Sequence, residues 1–189
     1  MKIIRKTFQT KTYYLHDTGK FPNSTNPVLH YKNVLHIPIF MGARLVRELF
    51  RENGWFNSWK SGIFEFSHYH SITHEVLGVI SGKATLLLGG ENGLQVRVEK
   101  GDVLLIPAGV AHRNLSPEHS LTCIGAYPDG RDYDMNYGHE DERPQTDIRI
   151  RNVPIPSKDP VFGTEGDMHA FWLELKSAKV SPNRVFSES

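Results

Sequence analysis

The sequence predicts an all-β protein, an antiparallel sandwich or barrel carrying one N-terminal helix and an irregular C-terminal wrap. Three observations support this. Between Trp55 and Tyr127 short strand-like runs recur, separated by glycine-containing turns. No helix-period segment interrupts them, so βαβ crossovers are absent from that region. The one convincing helical stripe lies upstream, at residues 42 to 53.

In chain order, Thr12-Tyr13-Tyr14-Leu15 has strand-favouring residues, and Phe21 to Pro27 is a turn-rich loop. Val28 to Ile39 is expected to supply another short strand ending near Pro38. In the 42–53 helix, Leu45 pairs with Leu49 and Val46 with Phe50 at i,i+4 spacing, while Arg44, Arg47, Glu48 and Arg51 fall largely elsewhere. Asn53-Gly54 is its stop, because both residues tolerate a left-handed backbone. Glu75 to Ile80 then leads to a turn at Ser81-Gly82. Ala84 to Leu88 runs into Gly89-Gly90-Glu91-Asn92-Gly93, a hairpin signal. Leu94, Val96 and Val98 alternate with Gln95, Arg97 and Glu99, the pattern of a strand with one wet face. Lys100-Gly101-Asp102 turns into the apolar run Val103 to Ile106, and Leu121 to Ala126 gives a last strand. The tail after Tyr127 is rich in Asp, Arg and Pro, and Val153-Pro154-Ile155-Pro156 cannot sit inside a sheet. It is expected to wrap over the barrel with Phe162, Phe171 and Trp172 as anchors.

At 189 residues the chain suits one domain, with the core barrel at about 55–127, a strand-and-helix extension over 1–54 and a Pro-rich wrap over 128–189. Its 22 Lys and Arg against 21 Asp and Glu leave no broad field, which argues against nucleic acid or an anionic membrane as partner. The single cysteine, Cys123, permits no internal disulfide and reads as a small core residue. With no apolar run of signal-peptide or membrane-span length, the expected location is the cytoplasm.

The chemistry concentrates in two segments. Gly62, His68, His70, Glu75 and Gly82 form the first, with five, one, four and six residues between successive members. Gly101, Pro107, Gly109 and His112 form the second. Imidazoles and a carboxylate are the ligand types for a borderline divalent ion. Residues two apart on a strand point the same way, so His68 and His70 share a face. A turn between Ser71 and Thr73 resets the parity, placing Glu75, Leu77 and Val79 inward and His74 outward. The plain reading of His74 is a surface or interface residue; the alternative is a supporting donor or substitute ligand. Gly101 allows tight entry to a strand, and Pro107-Ala108-Gly109 bends the chain so that His112 returns to the cavity. Three neutral imidazoles and one carboxylate give net +1 around a divalent ion. An ion preferring six ligands keeps about two open positions. That favours iron, manganese, nickel or cobalt, with zinc as the alternative because it usually takes four ligands.

These two segments resemble the paired motifs of the cupin superfamily, with one departure: Ser116 stands where the second motif usually ends in asparagine, and Asn114 comes two residues early. The resemblance covers residues 62 to 116 and implies a double-stranded β-helix, or RmlC-like jelly roll, with His68, His70, Glu75 and His112 as metal ligands. More widely, Phe21-Pro22-Asn23, Asn53-Gly54-Trp55, His74-Glu75-Val76-Leu77-Gly78, Ala126-Tyr127-Pro128-Asp129-Gly130 and Glu142-Arg143-Pro144 resemble single-domain YjlB-type cupins, a subgroup largely unassigned in function. The N-terminal helix and the wrap then belong to the fold.

The implied function is a metal-dependent enzyme acting on a small oxygen-bearing metabolite, of dioxygenase or decarboxylase type, with Glu75 as the candidate proton carrier. A small carboxylate is the favoured substrate. Tyr127, Asp129, Arg131, Asp132, Asp134 and Arg143 read as a solvated, mutually paired loop; at the barrel mouth they would supply substrate contacts, Arg143 being suited to a carboxylate. Trp55, Phe56, Trp59, Phe64 and Phe66 read as core or lid packing. The competing functions are a non-catalytic module that binds or senses a small molecule, and a metal acting only as a staple. A polar pocket holding no ion is the alternative to all three. Apolar sheet faces further imply a homodimer.

Overall fold

The computed structural model describes residues 3–117 and 119–178. Eight strands run through it: β1 (Gln9–Leu15), β2 (Ser24–Lys32), β3 (Trp55–Ser61), β4 (Glu75–Leu88), β5 (Leu94–Glu99), β6 (Val103–Ile106), β7 (His112–Asn114) and β8 (Leu121–Pro128). Three helices accompany them, α1 (Gly42–Glu52), α2 (Gln145–Asn152) and α3 (Asp167–Ala178).

The strands pair antiparallel in the order β1-β2-β6-β4-β8-β3, and β5 and β7 also pair with β4. Strand β4 belongs to both layers of the roll. Its first half lies between β6 and β8, and its second half lies between β5 and β7. The result is an all-β jelly roll.

Ser81-Gly82 is therefore a bend inside one strand, where a turn between two was expected. The β4–β8 register shifts between Val79 and Ser81, and Gly82 has φ +75°. A Cβ on Gly82 would meet the Ser120 carbonyl oxygen at 2.1 Å, so only glycine lets the strand cross from one layer to the other here.

Alternation along the strands builds two cores. Val28, Leu77, Val79, Leu104, Ile106, Leu121 and Cys123 point into the roll. Leu29, Tyr31, Val76, Val103, Leu105, Ile124 and Ala126 point to the other face of the same sheet. That outer face is covered by this chain's own helices: Val46 and Phe50 of α1 and Met168 and Trp172 of α3 are all fully buried against it. Two buried faces explain why β4, β6 and β8 read as continuous apolar runs without alternation.

Three further expectations need correction. The barrel sheet does not begin near residue 55, because β2 lies inside it, hydrogen-bonded between β1 and β6. The loop expected through Pro27 ends earlier, since β2 starts at Ser24. The C-terminal wrap is not irregular throughout, because it carries α2 and α3. The anchoring role expected of Trp172 is observed: its indole Nε1 donates to the Pro27 carbonyl at 3.0 Å. No helix among the described residues is long and apolar enough to cross a membrane.

Asp102, in the turn before β6, joins three parts of this framework. Its carboxylate accepts from the Asn33 and Glu99 backbone N–H groups at 2.7 and 3.0 Å and lies 3.0 Å from His30 Nε2. Burial pushes the Asp102 carboxyl up, but the His30 hydrogen bond and the two amides outweigh it, holding the group below the usual carboxylate range. A depressed folded-state value contributes stability above the unfolded value of about 3.9, lost as pH falls through the folded one. Asp102→Asn is expected to cost about 1.5–3 kcal/mol at pH 7. It should also make the loss of stability below about pH 4 shallower than in the parent. Urea unfolding at several pH values measures both; an unchanged acid slope would remove Asp102 from the account.

Candidate metal centre

The two motif segments are stitched together through their backbones. His68 and His112 form an antiparallel bridge, with His112 N–H donating to His68 O at 2.9 Å and His68 N–H to His112 O at 3.3 Å. Gly109 N–H donates to His70 O at 2.8 Å. The Pro107-Ala108-Gly109 bend thus lies against the His68–His70 stretch and delivers His112 beside it. On β4, Glu75 shares the inward parity of Leu77 and Val79, as the turn after Ser71 requires.

The structure brings all four expected residues together, and all are buried. The candidate ligand atoms of His68, His70 and His112 lie within 4.8 Å of one another. Glu75 Oε2 stands 3.5 Å from His70 Nε2 and 3.4 Å from His112 Nε2. Two donors about 2.1 Å from a shared ion and roughly at right angles are separated by about 3.0 Å, so these spacings are near those of a ligand shell.

Each imidazole is oriented by a backbone carbonyl. His68 Nδ1 meets Phe66 O at 3.2 Å, His70 Nδ1 meets Asp134 O at 2.5 Å, and His112 Nδ1 meets Val110 O at 3.1 Å. A carbonyl only accepts, so each Nδ1 carries a proton, and Nε2 of each ring is the nitrogen left to face the cluster, a lone pair wherever the ring is neutral. Glu75 is held likewise: Tyr127 Oη donates to its Oε1 at 2.9 Å, and Trp59 Nε1–H donates to Tyr127 Oη at 2.9 Å. Its other oxygen, Oε2, is buried with no hydrogen-bond partner among the described residues. A buried carboxylate oxygen aimed at bare imidazole nitrogens lacks a compensating donor, and a cation supplies what is missing. The residues fit a divalent metal.

The charges agree. Burial would push the Glu75 carboxyl up, but His70 and His112 hold it well below the usual range, so it is ionised. Burial and the neighbouring His112 push His68 down to about 3. Burial lowers His70 too, but Glu75 and the Asp134 carbonyl outweigh it and raise the ring overall. Tyr127 stays a phenol, because burial and the Glu75 charge push it far up.

Sequence reasoning placed Tyr127 and Asp134 in a polar loop and Trp59 among packing residues; all three support the site. Gly125 on β8, paired with Trp59 of β3, has no side chain because the indole lies across it: a Cβ would come within 2.1 Å of that ring. Asp134 also accepts from the Ser71 backbone N–H and hydroxyl, pinning the turn between His70 and Glu75. Arg143 is not brought to the cavity. It is held by Asp17 at 2.6 Å and Asp147 at 2.9 Å, with Gly19 O accepting at 2.7 Å. Nor is His74 at the surface. It is buried, its Nδ1 accepts from Ala108 N–H at 2.9 Å, its Nε2 meets Pro154 O at 3.2 Å, and its ring packs on Trp172. Cys123 is buried in the inner core, with burial raising its thiol far above the ordinary value, which makes it a packing residue.

A jelly roll with three histidines and a glutamate converging inside it defines the cupin class, and comparison with known proteins agrees. The cupin-domain family model matches residues 58–123. The chain is 36% identical over 167 residues to the uncharacterized protein YjlB of Bacillus subtilis strain 168, covering 88% of this chain and 98% of that one. The chain belongs to the cupin family, in the group that includes YjlB. Among solved structures, it is similar to the acireductone dioxygenase of Bacillus anthracis with cadmium in its active centre, at 17% identity and a TM-score of 0.36, over 49% of this chain and 63% of that one. It is also similar to the Legionella pneumophila epimerase RmlC, at 14% identity and a TM-score of 0.36, over 66% of this chain and 74% of that one.

Proposed function

We propose that His68, His70, Glu75 and His112 hold one divalent transition metal, and that the protein is a metal-dependent enzyme acting on a small oxygen-bearing metabolite by dioxygenase- or decarboxylase-type chemistry. The observation that carries this is the orphaned Glu75 Oε2 facing the lone pairs of imidazoles whose Nδ1–H groups are already committed to carbonyls. An arrangement built only for packing would not leave these acceptors facing one another in a buried space. When bound, such an ion supplies Lewis-acid activation of a substrate oxygen or, if redox-active, chemistry with dioxygen as co-substrate.

The chain's own groups prepare the site for that chemistry. The carbonyls of Phe66, Val110 and Asp134 fix the ring orientations. Tyr127 and Trp59 fix the carboxylate so that Glu75 Oε2 faces the imidazole nitrogens. A cavity of about 210 Å³, lined by Leu77, Ile63, Trp59 and Met135 as well as the donor set, leads to the cluster. It admits a metabolite and limits the water around the reacting atoms. This opening favours a working site over a staple, which needs no access.

Metal analysis of protein purified without a histidine tag is expected to give about one first-row transition metal per chain. Chelation should lower the melting temperature and leave the protein folded at 25 °C, because the two ligand segments are joined by backbone hydrogen bonds independent of the ion. Oxygen uptake and carbon dioxide release across a panel of small oxygen-bearing acids and phenols then read the reaction. Metal content near zero after supplementation with iron, manganese, nickel, cobalt and zinc would reject the centre. A loaded protein inert across the panel, yet binding one of its members, would point to the non-catalytic binding module.

A further inference from the structure

Resting on that metal-centre reading, we infer that the ligand taken at this site is a small planar aromatic bearing adjacent oxygen donors, of the phenol or enol–ketone class, in preference to an aliphatic dicarboxylate. The first argument is charge. Among the described residues, none lining the cavity is Lys or Arg, and the guanidinium best suited to a carboxylate, Arg143, is bound by two aspartates elsewhere. A divalent ion with one glutamate leaves a single positive charge, enough for one ionised oxygen and not for two carboxylates in a site of low dielectric.

The second argument is the mouth itself. Phe64 and Phe66 stack at 4.7 Å and 19°, and Phe64 stands edge-on to His68 at 5.4 Å. Tyr133 and Tyr127 stack at 5.0 Å and 23°, and Tyr133 stands edge-on to His70 at 5.2 Å. One stacked pair thus flanks each of two candidate ligands. Phe64 and Tyr133 line the cavity yet remain 54% and 47% exposed. Their exposed faces at the cavity mouth are open to a ligand, and a flat ring bound there gains both burial and offset stacking. An aliphatic diacid would cover little of this surface and would leave its second charge unpaired.

The test uses the full chain loaded with cobalt, with catechol and oxalate as probes followed by calorimetry. Both chelate through adjacent oxygens, and they differ in the ring and in charge. Catechol is expected to lose at least tenfold in affinity in Phe64→Ala and Tyr133→Ala, to recover in Tyr133→Phe, and oxalate to change less than twofold in all three. Because both side chains are half exposed, the variants should fold, which their melting temperatures check. Oxalate binding tighter than catechol, or both probes weakening equally, overturns the inference. So does a change of oligomeric state in Phe64→Ala with catechol affinity unchanged, which would assign the rings to a second copy. Metal content measured on the same samples separates the two ideas. If no metal is held, the metal-centre reading fails, and saturation-transfer NMR of catechol on the metal-free chain decides the aromatic one: transfer lost in Phe64→Ala upholds it, and no transfer in the parent rejects it.

Discussion

His112→Ala is expected to lower affinity for the transition metal by at least about 100-fold, taking a chain that binds one ion to one that binds almost none after dialysis. Loss of a group that merely orients a ligand commonly costs 10- to 100-fold, and His112 is itself a proposed ligand, so the larger figure is a floor. Its removal also takes away one of the two imidazole nitrogens that face Glu75 Oε2 across the site. The fold should survive. His112 lies at the first position of β7, whose pairing to β4 at Leu88 and to His68 runs through the backbone and not the side chain. His70→Ala should behave alike, whereas His36→Ala, at an exposed position far from the cluster in sequence, should leave stoichiometry unchanged. Metal content by mass spectrometry beside circular dichroism measures both sides. Full occupancy in His112→Ala would show that the ion, if present, sits elsewhere.

That experiment probes the part of the site that could be read from the sequence, and the reason it could be read is local. His68 and His70 are two apart on one extended stretch, Glu75 follows after one turn, and His112 follows a glycine- and proline-marked bend. Each relation depends on strand parity and turn chemistry within a few residues. Tyr127 and Trp59 escaped because their role depends on register between strands far apart in sequence. Val76 pairs with Ala126, which sets Tyr127 beside Glu75, and Trp59 pairs with Gly125, whose missing side chain makes room for the indole. Gly125 was the available signal: a glycine amid Cys123-Ile124-Gly125-Ala126-Tyr127 marks a close approach by another group.

The tail helices were hidden for a different reason. Within α2, Thr146 is the one buried residue, so no apolar stripe exists to be seen. Ser81-Gly82 misled in the opposite direction, since the backbone freedom that makes a turn also makes a bend within a strand. His74 was assigned outward correctly, but outward here is a second core and not solvent, because α3 covers that face. The sequence shows alternation; it does not show what lies against each face.

Covering that face has a measurable consequence at Trp172. Trp172→Ala is expected to destabilise the whole protein by about 3–5 kcal/mol, the cost of truncating a fully buried aromatic. For a chain of this length that corresponds to a fall in melting temperature of roughly 6–20 °C. The indole fills the outer core, donates to Pro27 O within β2, and packs on the His74 ring at 4.7 Å. Trp172→Phe keeps most of the volume and loses the hydrogen bond, so about 1–2 kcal/mol is expected there. The change should also reach the metal centre. His74 accepts from Ala108 N–H, and Ala108 is the middle residue of the bend that delivers His112. Loosening the packing behind His74 frees that bend, so metal affinity in Trp172→Ala should fall although the indole touches none of the four ligands. If α3 were an appendage, the barrel would melt as in the parent within about 0.5 kcal/mol, the range of ordinary surface substitutions. Thermal unfolding together with metal titration of the same variant therefore decides whether the C-terminal helix is a working part of the site's support.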